Sequence, residues 1–229
     1  MLNAEEWGVL RLALGVALTS VALSVVPGVI VGWILARWRS RWRYLLHGIV
    51  MLPLVMPPLV TGYLLLQVFG RSGPLGRAWH AITGNYIAYT TAACVIAASV
   101  VGFPLLVEGV RVAIAGVDRR LEFVSLSLGR GRLQTFMRIT LPLASPGLLA
   151  GLVLAFGRGL GEFGATIVLA GNIPGETRQI PIAVYSLLNL PNGEEAAMRL
   201  ALVSVLFSLL VLAAAAWLVG RRGLAGDPA

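Results

Sequence analysis

Five apolar stretches of membrane-crossing length dominate the sequence, at residues 9–36, 44–69, 87–112, 147–170 and 199–220. About 20 consecutive apolar residues carry a helix across the hydrocarbon core of a bilayer. No water reaches backbone N–H and C=O groups there, so each stretch must satisfy its own backbone as a helix. Composition agrees: 58% of residues are hydrophobic and 12% charged, with a mean hydropathy of +0.85, far from soluble averages. The expected fold is all-α, a polytopic membrane helical bundle of five transmembrane helices, or six if a further short helix crosses. At 229 residues the chain fits one domain, over residues 9–220, followed by a short tail at 221–229. The first stretch does not read as a cleaved signal. Its apolar run is too long, and its basic cluster follows rather than precedes it.

A net charge of +8 raises the question of nucleic acid. The basic residues lie in short connectors rather than on one amphipathic face, so a nucleic-acid partner is not expected. The positive-inside rule accounts for them better. Residues 37–43 hold four Arg, residues 111–138 six, and the tail Arg221 and Arg222. The other side has Arg11, Arg71, Arg77, Arg178 and Arg199. The imbalance places the 111–138 segment and the C-terminus in the cytoplasm and the N-terminus outside.

All eighteen basic residues are Arg. Without Lys the chain cannot build a phosphate-binding loop of the G-x-x-x-x-G-K-[ST] kind, nor perform Lys-based Schiff-base chemistry. Cys94 is the single cysteine, so no disulfide or thiolate metal site forms within the chain. His47 and His80 are far apart and read as interfacial side chains. No catalytic, cofactor-binding or metal-binding residue is expected. H-E-x-x-H and G-x-S-x-G motifs are both missing.

Between the third and fourth stretches lies an Arg-rich, helix-forming segment, Asp118 to Pro142, reading DRRLEFVSLSLGRGRLQTFMRITLP. Glu122 to Leu128 should be helical, with Gly129 able to take a positive φ at the C-terminus. Arg130 and Arg132 follow, where cations favour the negative end of the helix dipole. Pro142 is expected to stop the incoming backbone before the fourth span. Positive-inside arginines explain the charge of this loop but not its order, and long connectors usually have a job.

In the fourth stretch Arg158 and Glu162 are four residues apart and are expected to pair on one helix. Ionisable groups at membrane depth are costly and are candidates for function. Gly157, Gly161 and Ala165 form one row of small residues, and Gly147, Gly151 and Ala155 another, as close helix packing in lipid requires. Pro53, Pro57 and Pro58 interrupt the second stretch and predict a bend. Outside, residues 71–86 carry turn signals. Ile182 to Leu190 is apolar but too short to span, and reads as an interfacial or re-entrant helix.

The spacing Gly129-x9-Ile139-x-Leu141-Pro142, with Glu122 seven residues before the Gly, resembles the cytoplasmic coupling loop of ABC-importer permeases, which docks on an ATPase subunit. One departure is that Val124 and Ser125 stand where the family usually has Ala, which suggests a bulkier docking surface. GEFGAT (Gly161 to Thr166) and GNIPGETRQIPIAVY (Gly171 to Tyr185) are similar to the permease subunit of molybdate importers of the type I, binding-protein-dependent family. The opening EEWGVLRLAL and the RSGPLG turn agree, so the resemblance covers nearly the whole chain.

That resemblance implies a non-catalytic subunit of the cell inner membrane that forms the pathway for an oxyanion, most readily molybdate, with tungstate or sulfate as alternatives. It implies a homodimer, a cytoplasmic ATPase dimer that binds the ATP, and an extracytoplasmic solute-binding protein. Glu122, Gly129, Arg130, Arg132, Ile139, Leu141 and Pro142 would couple to the ATPase. Arg158, Gly161, Glu162, Gly164 and Thr166 are pathway candidates. A stand-alone secondary transporter or channel is the rival from another class. It would need more intramembrane ionisable groups and commonly inverted repeats.

Overall fold

The centre of the bundle is the helix with the smallest residues on its faces. In the computed structural model, which describes residues 3–224, α5 (Thr91–Gly116) buries Ala93, Ala97, Ala98, Val101, Gly102, Leu106, Val107 and Val110 along most of its length. On one side it meets α1 (Ala4–Arg37), where Gly28 and Gly32 lie under Leu106 and Val110. On another side it meets α8 (Leu141–Leu160). A methyl group on Gly109 would fall 2.7 Å from the Cα of Gly151, and one on Gly147 would fall 2.5 Å from the Cβ of Ala113. Backbones that close gain dispersion contacts that lipid cannot offset. The Gly147–Gly151–Ala155 row therefore packs as expected, while an added Cβ on Gly157 would meet nothing within 4 Å.

Among the described residues four helices are long and apolar enough to cross a membrane: Ala4–Arg37, Thr91–Gly116, Arg132–Leu160 and Glu194–Ala213. The second expected span is a broken one. α2 (Trp42–Val55) and α3 (Pro58–Phe69) meet at 112° across Met56 and Pro57. Pro57 and Pro58 lack N–H donors, and Pro restricts the residue before it, so the α2 ladder cannot continue. The bend is far sharper than a simple proline kink.

Contacts at the helix ends fix which connectors share a face. Near the N-terminus Asn3 and Glu6 form a capping box, each backbone N–H bonding the other's side chain at 2.7 Å. Glu6 also accepts from Arg199 (3.2 Å), and Glu5 pairs with Arg178 (3.4 Å). The far end of α1 touches Glu122 through Arg37. At 1.5 Å per residue, 34 residues of helix separate those faces by about 50 Å. Thr91, opening α5, donates to the carbonyl of Glu176, on the N-terminal face. The chain therefore crosses once between Arg37 and Thr91, and α2 with α3 completes a fifth crossing among the described residues.

Two short helices lie on the N-terminal face. α4 (Pro74–Thr83) occupies the connector that turn signals had marked as a loop. His80 stacks on Tyr86 (centroids 4.1 Å apart), and Arg71 sits over the same ring. α10 (Ile180–Leu188) is the short apolar helix expected at 182–190. Finally α11 (Glu194–Leu224) runs back along α8 towards the face that holds Glu122. It carries Arg221 and Arg222, so the expected tail begins as helix, and residues 225–229 lie outside the described residues.

Candidate functional site

The segment between α5 and α8 folds as a corner. Asp118 caps α6 (Arg119–Ser127), its side chain accepting the N–H of Arg120 at 2.8 Å. At the other end Gly129 adopts φ +80°, and the N–H of Arg130 reaches the carbonyl of Ser125. A side chain on Gly129 would meet nothing within 4 Å, so backbone conformation rather than space calls for glycine there.

Pro142 does not stop the chain as expected. α7 (Arg132–Thr135) runs through a π-helical turn (Phe136–Thr140) straight into α8. In that turn the N–H of Leu141 bonds the carbonyl of Phe136, five residues back. Pro142 is the second residue of α8. Widening the turn just before a residue without an N–H accommodates the missing bond while the helix stays continuous.

Glu122 faces inward. Its Oε1 accepts from Arg37 Nη2 at 2.6 Å and from the Thr140 hydroxyl at 2.7 Å. Arg37 also donates to the carbonyl of Val117. Beneath it, the buried hydroxyls of Ser125 and Thr135 hydrogen-bond at 2.9 Å. Three elements, the end of α1, α6 and the π turn, are thus joined at one carboxylate. Ser125 does not enlarge the surface, because it points into this joint, whereas Val124 is exposed. Gly129, Arg130, Arg132 and Pro142 are exposed, and Ile139 and Leu141 are half-buried. Around them stand Phe123, Leu128, Leu133 and Met137, all more than half exposed. The sequence reading missed Arg37 and Thr140. Arg37 was visible only as one more positive-inside charge.

At the opposite end of α8 the pathway candidates separate into two groups. Arg158 pairs with Glu162 at 2.6 Å as expected, but not on one helix. The α8 ladder closes at Gly161, and α9 (Gly164–Leu169) starts after a break. Glu162 is 1% exposed. One of its oxygens holds Arg158, and the other accepts the N–H of Ala165 at 2.7 Å, satisfying a first-turn donor of α9. Gly161 and Gly157 are exposed, while Gly164 and Thr166 are buried. Among the described residues the Thr166 hydroxyl has no hydrogen-bond partner. The row Gly157–Gly161–Ala165 is therefore broken by the turn.

This break lies against the break between α2 and α3. A methyl on Gly164 would sit 2.5 Å from the Cβ of Pro58, and one on Gly62 would sit 2.8 Å from the Cα of Ala165. Two discontinuous helices meet back to back, as transporters use to hold irregular backbone inside the membrane.

A coupling-type corner and paired broken helices, joined by one continuous helix, are features of a transport subunit. Residues 28–223 match the family described as binding-protein-dependent transport system inner membrane component. The chain belongs to that family. Among relatives, this permease is 44% identical over 218 residues to the molybdenum transport system permease protein ModB of Escherichia coli K12, covering 95% of each chain. It is 42% identical to the ModB of Haemophilus influenzae, covering 94% of each. Of solved structures, a chain of the inward-facing MetNI methionine ABC transporter superposes with a TM-score of 0.76 at 16% identity, covering 97% of this permease and 99% of that chain. A bacterial alginate ABC importer gives 0.74 at 16% identity, covering 96% of this permease and 80% of that chain. The permease therefore has the ABC-permease fold expected from its sequence.

Proposed function

We propose that this permease forms, as a homodimer, the membrane pathway of an ATP-driven importer of molybdate in the inner membrane. The observation that carries the substrate is the 44% identity to the Escherichia coli molybdenum permease, sustained over 95% of both chains. The corner supports the mechanism. Its exposed apolar side chains Val124, Leu128 and Met137 stand with Arg130 as a surface suited to an ATPase subunit with an acidic rim. That subunit binds and hydrolyses the ATP. Gly129, Ile139, Leu141 and Pro142 shape the corner, and Glu122 ties it to the bundle. ATPase closure would push α6 and, through the Arg37–Glu122 joint, move α1 and α8 as one body. With the corner in the cytoplasm, the N-terminus, α4 and α10 lie outside, where a solute-binding protein docks.

Arg158 offers the pathway a cation for an oxyanion, and the exposed Gly157 and Gly161 keep the wall beside it low. Glu162, Gly164 and Thr166 support that wall from behind. Expression of the chain with its cognate ATPase and binding protein, in cells lacking their own molybdenum permease, tests the reading. Molybdenum-enzyme activity should return at trace molybdate and not when this chain is omitted. Restored sulfate uptake with no return of that activity would reassign the substrate.

A further inference from the structure

At the coupling face the permease carries two adjoining cavities of opposite character. One, of about 330 Å³, is walled by Val29, Ile30, Trp33, Leu133 and Phe136 and is almost wholly apolar. The other, of about 240 Å³, is bordered by Arg37, Arg119, Arg132 and Glu122. Both are lined by Trp33, Arg132 and Phe136, so one groove runs from the α1 membrane surface to the basic end. Glu122 is already engaged by Arg37 and Thr140. Arg119 and Arg132 have no ion pair or side-chain hydrogen bond among the described residues, although Arg119 is half-buried. Among the described residues the Arg37 Nε is buried without a hydrogen-bond partner.

We infer that this groove binds an anionic phospholipid, its phosphate between Arg119 and Arg132 and an acyl chain along Val29, Ile30 and Phe136. Three arginines against one glutamate leave the polar end with an excess of two positive charges. Guanidinium groups clamp phosphate oxygens in pairs. Val29 and Ile30 lie two turns inside α1, at a depth that a soluble anion does not occupy. Trp33, 42% exposed, marks the interface where headgroups begin. Basic pockets beside membrane helices recognise acidic headgroups in this way. The inference is independent of the solute that the permease carries.

Native mass spectrometry of the full chain in nonionic detergent, with equal amounts of dioleoylphosphatidylglycerol and dioleoylphosphatidylcholine, tests it. The wild type should retain phosphatidylglycerol preferentially. Arg119→Gln and Arg132→Gln should each lower that retention about fivefold without changing phosphatidylcholine. Ile30→Trp should lower it by filling the apolar end. Arg39→Gln with Arg41→Gln, at the same face but outside the groove, should leave the preference intact. Equal retention of the two lipids by the wild type overturns the inference whatever the variants do. So does an equal loss in the Arg39/Arg41 control, or inorganic phosphate displacing the lipid at matched concentration. Disulfide formation between two copies carrying Ile30→Cys would assign the groove to the dimer and likewise overturn it.

Discussion

Arg37, in the last turn of α1, donates to Glu122 on α6 at 2.6 Å across 85 positions of sequence. Their side chains are 12% and 19% exposed, so solvent screens the pair only partly. The contact ties the longest helix to the corner, and Thr140 completes it from the π turn. Movement imposed on α6 therefore reaches α1 and α8, the two helices that pack most closely on α5.

Breaking this joint should loosen coupling more than folding. Arg37→Gln or Glu122→Gln removes one partner of a largely buried, charge-assisted pair, a loss of about 1–3 kcal/mol. The double variant should cost less than the sum of the two singles, because neither then leaves a charge unpaired. Thermal unfolding in detergent measures the cycle. ATP hydrolysis that continues while uptake falls marks the uncoupling, and additive single effects would deny the joint.

Gly129 is required for its φ of +80°, not for space. Gly129→Ala should destabilise the corner by about 1–2 kcal/mol, and Gly129→Asn by less. Gly129→Trp should insert into the membrane yet uncouple ATP hydrolysis from uptake. Uptake assays on the three variants check the order Asn above Ala above Trp.

The α5–α8 contact should reject side chains in proportion to their size. Gly109→Ala already drives a methyl to within 2.7 Å of backbone, and overpacking of this sort costs about 1–3 kcal/mol. Gly109→Leu should abolish a monodisperse peak in gel filtration. Gly157→Ala, with nothing within 4 Å, should behave as wild type in that assay.

Glu162 has two jobs that substitution separates. Glu162→Gln loses the charge opposite Arg158 but keeps an oxygen for the N–H of Ala165. Glu162→Ala loses both and leaves a buried donor unpaired, which costs about 1–3 kcal/mol more. Both should lower molybdate uptake, and only the Ala variant should also lower the melting temperature substantially.

The first, second, third and fifth spans, the sharing of faces among connectors and the corner's glycine were legible because lipid forces helices on long apolar runs and only glycine takes that φ cheaply. The fourth span, expected at 147–170, instead runs Arg132–Leu160 and breaks before α9. The break at Met56 and Pro57 was legible as a bend, but its 112° depends on α9 packing against α3. Pro142 misled because the π turn that absorbs it is a tertiary accommodation, held by Thr140 beneath Glu122. Arg158 and Glu162 were correctly paired. Their separation onto two elements depends on how Gly161 ends α8, and that glycine reads in sequence as one more member of a packing row. The role of Arg37 needed the fold, since its partner lies 85 residues away.

The most direct test is uptake of radiolabelled molybdate into proteoliposomes containing this permease with its ATPase, binding protein outside and ATP inside. Accumulation should require all three additions and stop when Arg37→Gln replaces the wild-type chain, while ATP hydrolysis persists. Uptake by the permease alone, or undiminished accumulation through the Arg37→Gln chain, would contradict the account.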